Sequence, residues 1–331
     1  MTSNKSLKFV NILDVKVNST SYDGLLRNIR AIIENSLEKD EASLSNGSGI
    51  LSSKFTGSKT PPKFRYESRT KGGKFYIVTP NPEITLNAFD DELLKRIINE
   101  ADFSIPDGIG LIASYKFLSL PRPQKVVKRI ITLIHQGIKV GLAVIFDQKW
   151  LQSDLNLIKG RKVFEDLIIL ANKKGWKVVM LGDVKGKDSA QKAAKKLKQN
   201  YKNVKISAFS GPSLDKDANP KSANDKEIEE MIVASINRIN PDLLFIGFGS
   251  PRQEKWLYRW FGKMDFKGAM VVGGTFDYIS GIKKFPPKWV EAINLEWLWR
   301  LIKGDQKLTR IISAFPRFAF RIFISKLVNV K

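Results

Sequence analysis

Apolar residues recur at two spacings along this chain, and the spacing switches repeatedly. Residues 8–17, KFVNILDVKV, alternate as one half-buried strand would. From Tyr22 to Ser36 the apolar positions Leu25, Leu26, Ile29, Ile32 and Ile33 instead mark one face of a helix. Periodicity then fades. From about 37 to 73 the chain is rich in Ser, Lys, Gly and Pro, which predicts a long insertion. Order resumes at Lys74 with the strand Tyr76-Ile77-Val78, which runs into Thr79-Pro80-Asn81-Pro82 and a helix pattern over 84–100. The strand ADFSIPDGIG ends at Pro106-Asp107-Gly108, and Leu111–Leu118 reads as a helix. Residues 119–160 form a second insertion, basic and apolar together.

A regular alternation follows. Helices over 164–174, 189–200, 225–239 and 253–261 alternate with strands over 176–183, 204–211, 242–251 and 268–277. Strands that are continuous runs of Val, Ile, Leu and Phe, separated by helices, predict an α/β fold with a mostly parallel sheet covered on both faces. Ligands of such sheets sit at the carboxyl ends of the strands. The expected division is a core over 1–280 and a basic amphipathic appendage over 281–331.

The strand ends therefore carry the candidate chemistry. Prolines bracketing Asn81 are a poor way to build a core and a good way to hold the Thr79 hydroxyl and the Asn81 amide at a strand end. Asp107 lies between Pro and Gly after an apolar strand. It suits a general base toward a hydroxyl nucleophile, or equally a cap of the following helix. Glycine turns follow three strands, at Gly182, at Gly247 and Gly249, and at Gly273 and Gly274. Glycine there lets backbone N–H groups approach phosphate oxygens beside a helix N-terminus, although a single glycine turn is often only a turn. Three on one edge favour a nucleotide or nucleotide-sugar ligand.

Composition removes several classes. The chain of 331 residues has no cysteine, which excludes disulfides and thiol catalysis and suits a reducing compartment. Its start, MTSNKSLKFVNILDVKV, lacks the apolar stretch of a secretory signal. His135 is the single histidine and has no ligand-like neighbours, so neither a metal centre nor a serine triad is expected, and no cofactor. Asp215 and Asp217 spell a D-x-D pattern, but in a lysine- and asparagine-rich loop that reads as solvated.

The net charge of +23 calls for an anionic partner. Residues 281–331 hold 11 Lys/Arg against 3 Asp/Glu, interleaved with Trp289, Trp297, Trp299, Phe315, Phe318, Phe320 and Phe323. That mixture suits a membrane interface, or a helical tail packed on its own domain. The apolar segment Val126–Phe146 is interrupted by Lys128, Arg129, His135, Gln136 and Lys139, too polar for an unassisted span. It reads as an interfacial anchor or as a helix packed on the core.

The ordered series VTPNPE, ADFSIPDGIG, PDLLFIGFGSPRQEKW, VVGGTFDYISG and PPKWVEAINLEWLWRL resembles the WecG/TagA/CpsF family of bacterial glycosyltransferases, over roughly 8–36 and 74–331. The resemblance implies a Rossmann-like core of the GT-E type and an inverting, metal-independent transferase. The best-studied members move N-acetylmannosamine from a UDP-sugar donor to a lipid-diphosphate-linked N-acetylglucosamine acceptor at the cytoplasmic membrane surface; others use related UDP-sugars. Asp107 then corresponds to the catalytic base, and Thr79, Asn81 and Gln253 to substrate-pocket residues. Gly247, Gly249, Gly273, Gly274, Phe276 and Asp277 correspond to the uridine-diphosphate side. Arg300, Lys307 and Arg310 fall where the family's tail supplies cations, with Lys307 lacking the bidentate fork of an arginine. Arg161 belongs to an R-x-x-G-x-D element that here keeps Arg161 and Asp166 but has Phe164 where glycine is expected. The implied location is peripheral, on the inner face of the cell membrane, with a possible homo-oligomer and no specific nucleic acid. The alternatives are a transferase for another UDP-hexose or UDP-uronic acid, or a non-catalytic nucleotide- or RNA-binding protein.

Overall fold

A computed structural model describes residues 8–45, 73–182, 188–292, 296–303 and 308–328. The first strand expected over 8–17 is a hairpin instead. β1 (Phe9–Ile12) pairs antiparallel with β2 (Val15–Asn18), and the chain reverses at Leu13 and Asp14, both with positive φ, at 50° and 62°. α1 (Tyr22–Ser45) continues into the segment expected to be an insertion; the remainder of that segment, 46–72, lies outside the described residues.

β3 (Phe75–Val78) precedes a helix expected over 84–100, which is two helices, α2 (Pro82–Asp90) and α3 (Glu92–Asn99). The break is at Asp91, whose carboxylate accepts from Leu94 N at 3.0 Å and so starts α3 afresh. β4 (Phe103–Ser104) and α4 (Ile109–Ser119) follow. The second insertion is helical: α5 (Val126–Phe146) and α6 (Gln148–Leu151) lead to α7 (Gly160–Lys174).

The alternating part runs β5 (Lys177–Gly182), α8 (Ser189–Asn200), β6 (Lys205–Ser210) and α9 (Ala223–Ile239). It continues with β7 (Leu243–Gly247), α10 (Arg252–Trp260) and β8 (Gly268–Val271). The last strand was expected to reach 277, but it stops at Val271 and Thr275–Ser280 is a short helix, α11. α12 (Lys288–Ala292), α13 (Glu296–Ile302) and α14 (Leu308–Val328) complete the chain.

The fold is a six-stranded parallel sheet of order β4-β3-β8-β7-β5-β6, with helices on both faces. Alternate strand residues separate the two cores. Tyr76, Val78, Leu244 and Ile246 join the cluster under α2, α3, α9 and α10, whereas Phe75, Ile77, Leu243 and Phe245 join the one under α1, α7, α8 and α11. The chain steps outward from β3 to β4 on one side and from β5 to β6 on the other. The crevice of such a sheet lies at that reversal, outside the strand ends.

α14 returns to the core far from its neighbours in sequence. Phe318 and Ile322 are buried, Phe323 stacks on Phe117 of α4 with ring centroids 6.2 Å apart, and Arg122 and Arg129 donate to the Leu327 carbonyl at 2.9 and 3.1 Å. The Lys326 ammonium is buried against α4 and α5, donating to Phe117 O and, at 2.8 Å, to Gln136 Oε1. Burial, with help from the nearby Arg122 cation, pushes its pKa down to about 8. The unfolded chain therefore holds this proton more tightly than the folded one. Between about 8 and the ordinary lysine value of 10.5, stability gains as pH rises. Urea midpoints of wild type and Lys326→Met at pH 7.5 and 9.5 should show a rise confined to the wild type; parallel changes would contradict it.

Candidate active site

Six parallel strands end on one rim, and Asp107 stands at its β4 end. Its N–H donates to the Pro80 carbonyl at 2.9 Å, fixing it to the turn that follows β3. The N-cap residue of α4 is Gly108, with φ 94°, and not Asp107. Asn81 caps α2, its Oδ1 accepting from Ile84 N at 2.9 Å, and Pro82 supplies the φ that a first helical residue needs. A third element closes on this pair. A methyl group built on Gly160, the first residue of α7, would stand 2.9 Å from Thr79 Cγ2 and 3.8 Å from an Asp107 carboxylate oxygen. The N-terminus of a 15-residue helix, without a side-chain cap, thus abuts the Thr79 side chain, methyl first, and a carboxylate. Helix N-termini favour anionic groups. Gly160 is a close-approach glycine, whereas Phe164, where the motif's glycine is expected, is core, its ring 4.6 Å from that of Phe245.

Next along the rim are the glycine turns, and they separate into two kinds. A Cβ on Gly182 would strike Ala190 at 2.8 Å, and one on Gly247 would strike the Phe276 ring at 2.8 Å. Protein fills the space in front of these two. The Phe276 ring, 1% exposed, lies in the core under Gly247, with Phe164 6.1 Å away, and does not line the rim. Gly249 and Gly273 have φ of 79° and 52°, which a side chain would strain, and a Cβ on Gly273 would meet nothing within 4 Å. Gly273 thus leaves space at the rim, and Gly249 has only the Arg252 guanidinium beside it, 3.8 Å from where a Cβ would stand.

Gln253 joins them. It is 2% exposed, and its side-chain oxygen accepts from Gly249 N at 3.2 Å and from Gly273 N at 3.1 Å, while its amide donates to Glu254 at 2.9 Å. Its polar atoms hold two loops together, so it acts through them. Burial pushes the Glu254 carboxyl above its ordinary range. Two cations flank the turns: Arg252 donates to Phe248 O at 2.7 Å, and Lys283 pairs with Asp277 at 3.0 Å, beside Gly274. Lys283 carries no motif that would have marked it.

Arg161 is placed beside Gly160, but its guanidinium pairs with Glu291 of α12 at 2.6 Å and lies over the Phe285 ring, 4.9 Å from its centroid. Lys159 pairs with Glu296 of α13 at 2.6 Å. The start of α7 is thereby strapped to the appendage by pairs separated by more than 100 residues, which no local pattern announces. Asp166 accepts from the Tyr22 hydroxyl and from Lys162 at 2.6 Å, joining α7 to α1. Asp217 pairs with buried Lys255 at 2.6 Å, and Asp215 accepts from the N–H groups of Asp217 and Asn219, so D-x-D makes a turn. Among the described residues no cluster of three His, Cys, Asp or Glu could hold a metal. Arg300 and Arg310 lie on α13 and α14 with side chains outside the described residues, and Lys307 lies outside them altogether.

The fold is that of a doubly wound α/β protein, and its rim brings Thr79, Asp107 and Gly160 together and carries the turns of Gly249 and Gly273. The chain matches the Glycosyl transferase WecG/TagA/CpsF family over residues 63–139 and 138–331, and belongs to it. It is a glycosyltransferase. It is similar to the N-acetylglucosaminyldiphosphoundecaprenol N-acetyl-beta-D-mannosaminyltransferase of Bacillus subtilis strain 168, 27% identical over 74% of this chain and 78% of that one. The proteins of the same name from Bacillus spizizenii and from Staphylococcus aureus strain MRSA252 are 24% and 26% identical, over 80% and 76% of this chain and 84% and 80% of theirs.

Proposed function

We propose that this protein transfers N-acetylmannosamine from a UDP donor to an N-acetylglucosamine carried on a lipid diphosphate, with inversion and without a metal ion. The convergence of Asp107, Thr79 and the uncapped start of α7 carries the reading. In one displacement, Asp107 takes the proton of the acceptor hydroxyl as that oxygen bonds to the anomeric carbon. The bond from that carbon to the diphosphate oxygen breaks, and UDP leaves from the opposite face with the electron pair. Attack opposite the leaving group inverts the centre, and no covalent enzyme intermediate is needed. The space left open beside Gly273 gives the donor's diphosphate room, the N–H groups of Gly249 and Gly273 being held by Gln253, and Arg252 and Lys283 are cations beside those turns. Cations aimed at a diphosphate stabilise the charge that develops on it. The names of the relatives support the sugar and the acceptor.

The test is UDP release from a panel of UDP-sugars with a lipid-linked N-acetylglucosaminyl diphosphate, in the presence of a chelator. Turnover is expected with UDP-N-acetylmannosamine and only when the acceptor is present. Turnover of a different UDP-hexose would replace the donor. Salt-sensitive RNA binding with no turnover of any UDP-sugar would refute the enzyme reading.

A further inference from the structure

α5 has two apolar stripes, and the protein covers only one. Leu133, Val140 and Ala143 are buried against the body. On the opposite side Val127, Ile131, Ile134, Ile138, Leu142 and Ile145 follow one another at three- and four-residue steps, each 47–73% exposed. Val126 and Phe146 extend the stripe at its ends, at 61% and 79%. A water-soluble surface seldom leaves so long an apolar strip uncovered without a use. Lys128, His135 and Lys139 run along one border of it, and residues 120–146 contain no Asp or Glu. At the start of the helix, Lys125, Val126, Val127, Lys128, Ile131 and Thr132 line an open depression of about 680 Å³. Two ammonium groups there frame exposed aliphatic side chains.

We propose that α5 is a membrane-docking helix that lies in the plane of an anionic leaflet, with its exposed stripe among the acyl chains and its lysines at the lipid phosphates. Charge selects this occupant. A second copy docked through the same stripe would bring like cations together with no acidic residue between 120 and 146 to offset them, whereas anionic headgroups supply the complement. By length and composition alone the helix could cross a bilayer, contrary to the expectation from its interrupting polar residues, but its other face holds it flat. Arg129 donates to Leu327 O, and Gln136 accepts from Lys326 and donates to Pro121 O, so a crossing would break these bonds and bury four basic or titratable side chains. α14 is clamped to α5 by the same contacts, so insertion and appendage form one platform. α4 leads from the Asp107 loop to that platform, a distance of about 16 Å along an 11-residue helix. The identity of the leaflet rests on the lipid-linked acceptor proposed above.

The test is sedimentation of the full-length protein with phosphatidylcholine vesicles, with and without phosphatidylglycerol. Changing Ile131, Ile134, Ile138 and Leu142 together to Ser touches exposed positions only and should leave the fold and UDP release toward a water-soluble acceptor analogue intact. It should weaken partition into the anionic vesicles on the order of 100-fold. Lys125→Glu with Lys128→Glu should abolish the preference for phosphatidylglycerol. Carbonate washing should release the bound protein. Unchanged partition of the four-residue variant overturns the proposal, as does retention through the wash, which would mean a span. A wild-type dimer that this variant disperses, with vesicle binding unaltered, would assign the stripe to a second copy and likewise overturn it. Partition that depends on the stripe in a protein turning over no UDP-sugar would refute the proposed activity and leave the docking surface standing.

Discussion

Asp107→Asn should lower kcat for transfer by roughly 10²–10⁴-fold, the usual contribution of a positioned general base. The amide keeps the shape of the carboxylate and cannot accept the acceptor's proton. The backbone bond from Asp107 N to Pro80 O does not involve the side chain, and the residue is half-buried, so the fold should survive with a thermal midpoint close to that of wild type. The donor KM should change little, because the glycine turns belong to other strands. A variant with wild-type kcat would remove Asp107 from the reaction. One that lost donor affinity and kept kcat would give it a binding role instead.

Gln253→Ala should act through stability and donor binding together. Its side chain makes three hydrogen bonds, part-buried ones to Gly249 N and Gly273 N and a buried one to Glu254. Deletion leaves two backbone donors and a carboxyl oxygen short of partners, at a cost of about 3 kcal/mol. The loops after β7 and β8 would lose their common tie, so donor KM should rise more than kcat falls. Gln253→Glu keeps an acceptor for the two N–H groups but sets a second carboxyl against buried Glu254. It should therefore be no better tolerated. Urea unfolding and donor-concentration series on both variants check this. Wild-type stability with wild-type donor KM in Gln253→Ala would show that the two loops hold their places without it.

How far the sequence could be read depended on the range of the contacts involved. The central strands β5, β7 and β8 were legible because each is buried on both faces, so the run of Val, Ile, Leu and Phe needs no partner to be recognised. Where a reversal is made by single residues the pattern failed. Leu13 and Asp14 adopt positive φ in the middle of an alternating stretch, and Asp91 ends one helix and caps the next without interrupting the helical spacing. The glycine turns were legible as glycine turns, but what stands in front of each was not. Phe276 fills the space at Gly247, Ala190 fills it at Gly182, and Gly273 is left open, and only the folded chain distinguishes them. Gly160 was missed for the same reason: its need for a bare α-carbon comes from Thr79, which is distant in sequence and close in space.

By itself the sequence determined that this is a parallel α/β chain, that its strand ends form one rim, and that Asp107 follows one of those strands. Those features follow from alternation, burial and turn chemistry, all of which act over a few residues. Only the tertiary structure decided that Arg161 is paired with Glu291, that Gln253 ties two loops, and that α5 and α14 make one surface with an uncovered apolar stripe. Those are meetings of segments up to about 200 residues apart, set by how helices pack on the sheet, and local spacing holds no record of them.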